Sequence, residues 1–253
     1  MILLDVEQGT ADWLAARVGI PTSSCFHRII TPKTMKPASA QKGYMHELLA
    51  EWMLGASLDD GYLSDWMERG MMLEPQAVAY YELQRDMDVN RVGFVLRDDR
   101  MVGCSPDGLV GADGGLEIKC PSARVHVENL LGDMSEKHKC QVQGGLWITG
   151  RQWWDLLSFH PELPPALTRV ERDEKFISAL ASCVDGFLNE MMAARTMLIQ
   201  RGYVDAPSHD HCDVCCEEST GEVCEHEQTK LCAEHRLPPD EYVPDEGDMA
   251  GCP

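Results

Sequence analysis

The chain has 253 residues, 44% of them apolar and six of them Trp, which is enough for one large domain or one domain plus a small appendage. There is no run of 18 apolar residues, so no membrane span is expected. The opening MILLDVEQGTADW lacks the basic and long apolar regions of a signal peptide, which makes the cytosol the expected location. A formal charge of −20 excludes a surface generally coated for nucleic acid, and 14 acidic against 2 basic residues in 205–253 leave only −8 on residues 1–204, so any DNA contact must be a local basic lining helped by metal ions.

In chain order, EQGTADWLAARVGI reads as a capped amphipathic helix and TSSCFHRII as a short second one opened by a hydroxyl cap. TPKTMKP is a cationic loop, and SAQKGYMHELLAEWMLG has helical apolar spacing with a stop at Gly55. SDWMERGMMLEPQAVAYYELQRD is a long helix in which Pro75 predicts a kink or a new first turn. The pattern then changes. RVGFVLRDD and RMVGCSPDGLV are short β-like runs around an Asp-Asp turn, GADGG is a second turn, and GLEIKCP is a third strand ended by Pro121. EKHKCQVQGGLWITG returns to helix. WWDLLSFHP and ALTRVERDE are strands, and DEKFISALASCVDGFLNEMMAARTMLIQRG is a long last helix. The order predicts an α/β domain with a mixed central sheet and helices on both faces.

The stretch GCSPDGLVGADGGLEIKCP holds the chemistry-bearing side chains. Strand alternation puts Glu117 and Lys119 on one side and Ile118 in the core, and a hairpin brings Asp107, at the end of the preceding strand, close to Glu117. Two carboxylates and an ammonium group then converge. Carboxylates, water and a phosphate are the ligand set of Mg²⁺, with the Ile118 backbone carbonyl as a further candidate ligand. Such an ion polarises a scissile phosphate and acidifies an attacking water, which Lys119 would orient. On spacing alone, an incidental cross-strand Glu–Lys pair on a surface hairpin reads equally well.

Asp-x9-Glu-x-Lys is the signature of the PD-(D/E)xK nucleases, and this version resembles the lambda-exonuclease and YqaJ-type viral recombinase family. DWLAARVGIPTSS is similar to that family's N-terminal Trp–Arg–Gly–Thr/Ser segment and ERGMMLEPQA to its Gly-x3-Glu helix. CSPDGL, GLEIKCP and QVQGGLWIT follow its core motifs in order, and VERDEKF resembles a stretch near its end, so the likeness spans about residues 7–203. The resemblance implies a restriction-endonuclease-like α/β core over residues 1–204. It implies Asp107 and Glu117 as ligands of Mg²⁺, with Mn²⁺ as a substitute, and Lys119 as the catalytic lysine. Glu74 would be a helix-borne acid near the metal, against the plainer reading of a cap acid beside Pro75. Gln141 and Gln143, two apart on a helix, cannot share a face, so one is expected to support the site, with Gln141 favoured, although either would also do as a solvated residue. Arg17 and Ser24 match the family's pocket for a 5′-terminal phosphate. Outside the resemblance they read as a helix-surface Arg and a cap Ser. The implied activity is 5′→3′ digestion of one strand of duplex DNA from an end, leaving a 3′ overhang for homologous recombination by single-strand annealing. The implied assembly is a ring-shaped homotrimer threaded by DNA, with a phage single-strand annealing protein as partner. A closed ring would hold a positive channel inside an acidic exterior.

Residues 205–253 depart from the family pattern. Five of the eleven cysteines fall in a 21-residue window, while Cys25, Cys104, Cys120, Cys140 and Cys183 read as buried small hydrophobes. Cys212-x2-Cys215 and Cys232-x2-His235, separated by 16 residues, approach structural zinc spacing, with His211, Cys216, Cys224 and His226 as spare ligands for a second ion. The expectation is an acidic zinc module that docks protein rather than DNA. Two rival readings are an iron–sulfur nuclease of the CRISPR-adaptation type, closed by Cys25 and the tail cysteines, and a non-catalytic protein that binds DNA ends or partners. The intact Asp107, Glu117 and Lys119 argue against the second.

Overall fold

The computed structural model describes residues 1–58, 65–132 and 134–204. Its contacts divide the chain into two compact units, Met1–Leu188 and Asn189–Pro253. In the second, the described part is the end of the last helix and the turn that follows it.

The first unit opens with strand β1 (Ile2–Leu4) and helix α1 (Ala11–Arg17). Thr10 caps α1 by accepting a hydrogen bond from the Trp13 amide at 3.3 Å. Ser23–Arg28 forms a 3-10 helix rather than the short α-helix the sequence suggests, and a hairpin of two-residue strands follows, β2 (Ile30–Thr31) and β3 (Lys36–Pro37). Helix α2 (Gln41–Leu54) ends as expected at Gly55, which takes the left-handed conformation at φ 62°. Helix α3 (Asp65–Arg85) runs through Pro75 as one element.

Five strands make the mixed sheet, in the order β10-β9-β8-β7-β4, where β4 is Val89–Asn90, β7 Gly108–Val110, β8 Gly114–Lys119, β9 Trp153–Ser158 and β10 Ala166–Glu171. Of its strand pairs, β8–β9 is parallel and the others antiparallel. The parallel pair needs a crossover, supplied by helices α4 (Ala123–Leu131), α5 (Met134–Lys137) and α6 (Lys139–Thr149). A separate antiparallel sheet joins β1, β5 (Phe94–Leu96) and β6 (Gly103–Cys104). The run RMVGCSPDGLV is therefore not one strand. It splits into β6 and β7 in different sheets, and Asp107 stands in the break ahead of β7.

Side-chain alternation sorts the core into two faces. Leu116, Ile118, Leu157 and Val110 pack against Ala77 and Tyr81 of α3. On the other face, Trp154 packs with Val142 and Leu146 of α6 and with Ile177 of α7 (Glu174–Gln200). Helix α6 can lie this close because two glycines hold the Trp154 indole between them. A Cβ on Gly115 would come within 2.4 Å of that ring, and one on Gly145 within 3.0 Å. Both sheet faces are thus helix-covered, as the element order predicts. Among the scattered cysteines only Cys104 and Cys140 are fully buried; Cys25, Cys120 and Cys183 are half-buried.

Candidate active site

The site lies where β8 ends. Glu117 and Lys119 project from the same face of β8, while Ile118 turns into the core between them. Gly108 pairs with Leu116, so the antiparallel register continues to Asp107 opposite Glu117. Asp107 sits there without a strand of its own because its carboxylate, not its backbone, completes the ladder, accepting the Ile118 amide hydrogen at 2.5 Å. The Lys119 ammonium donates to Glu117 Oε1 at 2.6 Å and to Gln141 Oε1 at 3.3 Å. Gln141 Nε2 donates to the same Glu117 oxygen at 2.6 Å. Gln143 points elsewhere, donating to the Glu171 carbonyl at 2.8 Å and accepting from the Asp173 amide at 2.9 Å, so it ties α6 to the end of β10.

Electrostatics follow from burial. Asp107 is held well above the ordinary carboxylate range, first by burial and then by the charges of Glu117 and Glu74, against the relief offered by Lys119. Burial works against the Lys119 ammonium, but Glu117 and Asp107 outweigh it and raise its pKa above the ordinary lysine value. Glu74, on α3, therefore borders this pair by its field, although its own hydrogen-bond partner is the Arg91 guanidinium. Nothing in the sequence pattern singles out His138, which stands just ahead of α6, three residues before Gln141. Burial, with Lys119 and Lys137 adding to it, pushes His138 down to about 4, so it is a neutral imidazole at physiological pH.

A second group adjoins the Asp107 break. Arg17 donates to Ser105 Oγ at 3.0 Å, and its guanidinium lies 4.0 Å over the Trp13 ring. Trp13 Nε1 donates to the same Ser105 oxygen at 3.0 Å. Ser105 is two residues from Asp107, so one loop joins both groups; sequence reasoning misses Ser105 because SPDG is also an ordinary turn. Ser24 is exposed at the start of the 3-10 helix and shares a hydrogen bond with Thr22 Oγ1 at 3.1 Å. Thr22 bridges to Gly103, which places Ser24 on the flank of the same loop.

The donor set suits a hard divalent cation. The Asp107 and Glu117 carboxylates and the Ile118 carbonyl offer the oxygen donors such an ion takes, and Asp107 is raised first by burial and then by the charge of Glu117. Among the described residues no three His, Cys, Asp or Glu side chains are already gathered as a cage. Cys212, Cys215, Cys232 and His235 lie outside the described residues. Within the described residues, no helix is long and apolar enough to cross a membrane.

A family model described as a YqaJ-like viral recombinase domain matches residues 12–152, a span that holds every candidate residue from Arg17 to Gln141. Crystal structures of an alkaline exonuclease from Laribacter hongkongensis, one of them in complex with dAMP, are similar at 33% identity. The match covers 77% of this chain and 98% of that one, with a TM-score of 0.68. A phage-related exonuclease from Haemophilus somnus 129PT shares the fold at 15% identity over 69% of this chain and 96% of that one, with a TM-score of 0.53. No curated protein matches the chain significantly.

Proposed function

Since the chain belongs to the YqaJ-like viral recombinase family, and is a nuclease of the alkaline exonuclease type, we propose that it is a Mg²⁺-dependent 5′→3′ exonuclease. In this reading it resects the ends of duplex DNA to 3′ overhangs for phage recombination by single-strand annealing. The observation that carries it is the group at the end of β8, where Glu117, Lys119 and Gln141 are hydrogen-bonded to one another and Asp107 accepts from the Ile118 amide between Glu117 and Lys119.

Asp107, Glu117 and the Ile118 carbonyl would hold the Mg²⁺, or Mn²⁺ in its place, with Glu74 beside them. When bound, the ion polarises the scissile phosphate and makes water a competent nucleophile at neutral pH. Lys119 aims its ammonium at the developing negative charge and orients the attacking water. Gln141 bonds both Lys119 and Glu117, so it fixes the ammonium relative to the carboxylate before substrate arrives. Arg17, braced by Trp13 and Ser105, takes the 5′-terminal phosphate through paired hydrogen bonds, with Ser24 at its flank. A basic approach for the duplex is supported by the stretch from Asp12 to Glu47, which has no acidic residue between and carries Arg17, Lys33, Lys36 and Lys42, besides Arg28, which is paired with Glu47 at 2.6 Å. Lys33, Lys36 and Lys42 are exposed.

In the same reading the nuclease domain spans 1–204 and acts as a homotrimeric ring in the host cytoplasm. The acidic module at 205–253 binds structural zinc through Cys212, Cys215, Cys232 and His235 and docks an annealing protein. The test is digestion of a linear duplex labelled separately at each 5′ and 3′ end, with and without Mg²⁺. Early release of 5′ label that needs the ion is expected. Release of 3′ label first, or cutting indifferent to a chelator, would sink the proposal.

A further inference from the structure

Neither the family motifs nor the sequence pattern accounts for Arg91, yet its guanidinium donates to Glu74 Oε1. The pair is only partly withdrawn from water, with side-chain exposures of 50% for Arg91 and 25% for Glu74. Glu74 lies on α3 between Arg69, which donates to the Cys120 and Pro121 carbonyls at 3.0 and 3.1 Å, and Ala77, which packs with Leu116 and Ile118, so the carboxylate held by Arg91 belongs to the part of α3 laid along the end of β8. The main chain is held before Arg91 by the pairing of Asn90 with Leu109, and after it by side-chain bonds. Gln8 Nε2 donates to the Val92 carbonyl at 3.0 Å and to the Pro106 carbonyl at 2.9 Å, lacing the Arg91 segment to the Asp107 segment. The Gly93 carbonyl accepts from Trp13 Nε1 at 3.2 Å, and any Cβ at Gly93 would strike the Val6 carbonyl oxygen at 1.6 Å. With the backbone locked, the half-exposed Arg91 side chain is the part left to move.

We propose that Arg91 is an internal counter-ion that competes with the divalent cation for Glu74, and that a phosphate of bound DNA draws it away, so that DNA and metal bind cooperatively. This rests on the nuclease reading above. One carboxylate oxygen does not serve a guanidinium and a hard cation equally well at once. A phosphodiester offers the guanidinium a second acceptor of the same fork geometry. Binding linkage then makes the effect reciprocal: whatever DNA does for metal affinity, metal does for DNA affinity. The arrangement would keep the ion loosely held until substrate is in place.

The test is the Mn²⁺ dissociation constant, read from the EPR signal of free Mn²⁺, for the full chain and its Arg91→Ala, Arg91→Lys, Glu74→Gln and doubly substituted Glu74→Gln/Arg91→Ala forms. Without DNA, Arg91→Ala should bind Mn²⁺ about two- to fivefold more tightly, the range a partly exposed ion pair allows. Arg91→Lys should gain less, and Arg91→Ala should gain nothing when Glu74 is already Gln. In a Lys119→Ala background with a duplex present, the advantage of Arg91→Ala should shrink to nothing. Unchanged or weaker Mn²⁺ binding by Arg91→Ala without DNA overturns the competition. An advantage that persists with duplex overturns the release by DNA. If the parent chain binds Mn²⁺ no better than Asp107→Asn, the metal-dependent nuclease reading itself falls, and the inference with it.

Discussion

Lys119 is the residue whose removal separates chemistry from binding. Its ammonium already has two partners, Glu117 and Gln141, so it spends little on ground-state affinity for DNA and acts where charge develops. Lys119→Ala is expected to lose cleavage in an end-labelled duplex assay while retaining gel-shift affinity; near-normal cutting would mean that the active site is elsewhere. Asp107 makes a pH prediction. Its folded pKa stands above its unfolded value, so the native state holds an extra proton between the ordinary carboxylate range and that raised value. Stability should therefore fall as pH rises through that window, with the full penalty above it. Asp107→Asn keeps an acceptor for the Ile118 amide and removes the charge. In chelator at pH 8 it should melt higher than the parent, by about 2–4 °C for each kcal/mol recovered, and the gain should vanish below pH 4. A melting point unchanged at both pH values would show that the charge is not held at a cost. Arg17→Ala should erase the preference for a 5′-phosphate over a 5′-hydroxyl end, a preference that a charged hydrogen-bond pair of about 1.5–3 kcal/mol supports. Equal loss on both ends would make Arg17 a structural residue. At this scale the sequence is readable where strand alternation decides, as with Glu117 and Lys119. It is silent on Ser105, Gln8 and Arg91, whose partners lie 17 to 98 residues away.

Among the elements, the strands and helices with strong period are legible and the ones that break the apolar rule are not. Helix α4 escapes a reading by apolar spacing because its amphipathicity is inverted. It buries His126 and Asn129, which both meet Ser158 Oγ, at 2.8 and 3.0 Å, while Val127, Leu130 and Leu131 face solvent. The β6–β7 break is hidden because Ser105, Pro106 and Asp107 interrupt what reads as one apolar run; only the two-sheet arrangement separates them. The choice between Gln141 and Gln143 rests on how α6 is rotated over the sheet, and two glycines set that. Gly145→Val should push α6 away from the Trp154 indole, costing about 1–3 kcal/mol of stability by overpacking. Because Gln141 rides on the same helix, activity should fall beyond what the melting shift explains; a destabilised variant with full specific activity at low temperature would uncouple the helix from the site. The β2–β3 hairpin makes a separate electrostatic prediction. Lys33→Ala with Lys36→Ala should weaken duplex binding uniformly across sequences and lower the slope of log K against log salt by about 0.9 for each phosphate no longer neutralised. An unaltered slope would take the hairpin off the DNA path.

Over the whole molecule, charge and chemistry are segregated along the chain. All candidate catalytic groups fall between Glu74 and Gln141, inside the family-matched span of 12–152, and the acid-free stretch lies ahead of them. The 49 residues from 205 onward carry 14 acids against 2 bases. Such a segment repels a DNA backbone, so a role in tracking substrate is disfavoured by its own field. Acid fixed in place by a metal knuckle can instead present one defined face to a basic partner, raising encounter rate and selectivity more than it raises affinity. On the zinc proposal, the spacing of Cys212, Cys215, Cys232 and His235 would supply the knuckle. A chain ended after Tyr203 should thus keep Mg²⁺-dependent digestion of naked duplex, lose bound zinc as read by elemental analysis, and lose co-purification with an annealing protein. The parent should hold zinc that chelation removes without abolishing digestion, once Mg²⁺ is restored. If the shortened chain is folded, keeps its oligomeric state and yet cannot digest naked DNA, then the acidic module belongs to the catalytic machinery, and the separation of charge from chemistry along the chain is not a separation of labour.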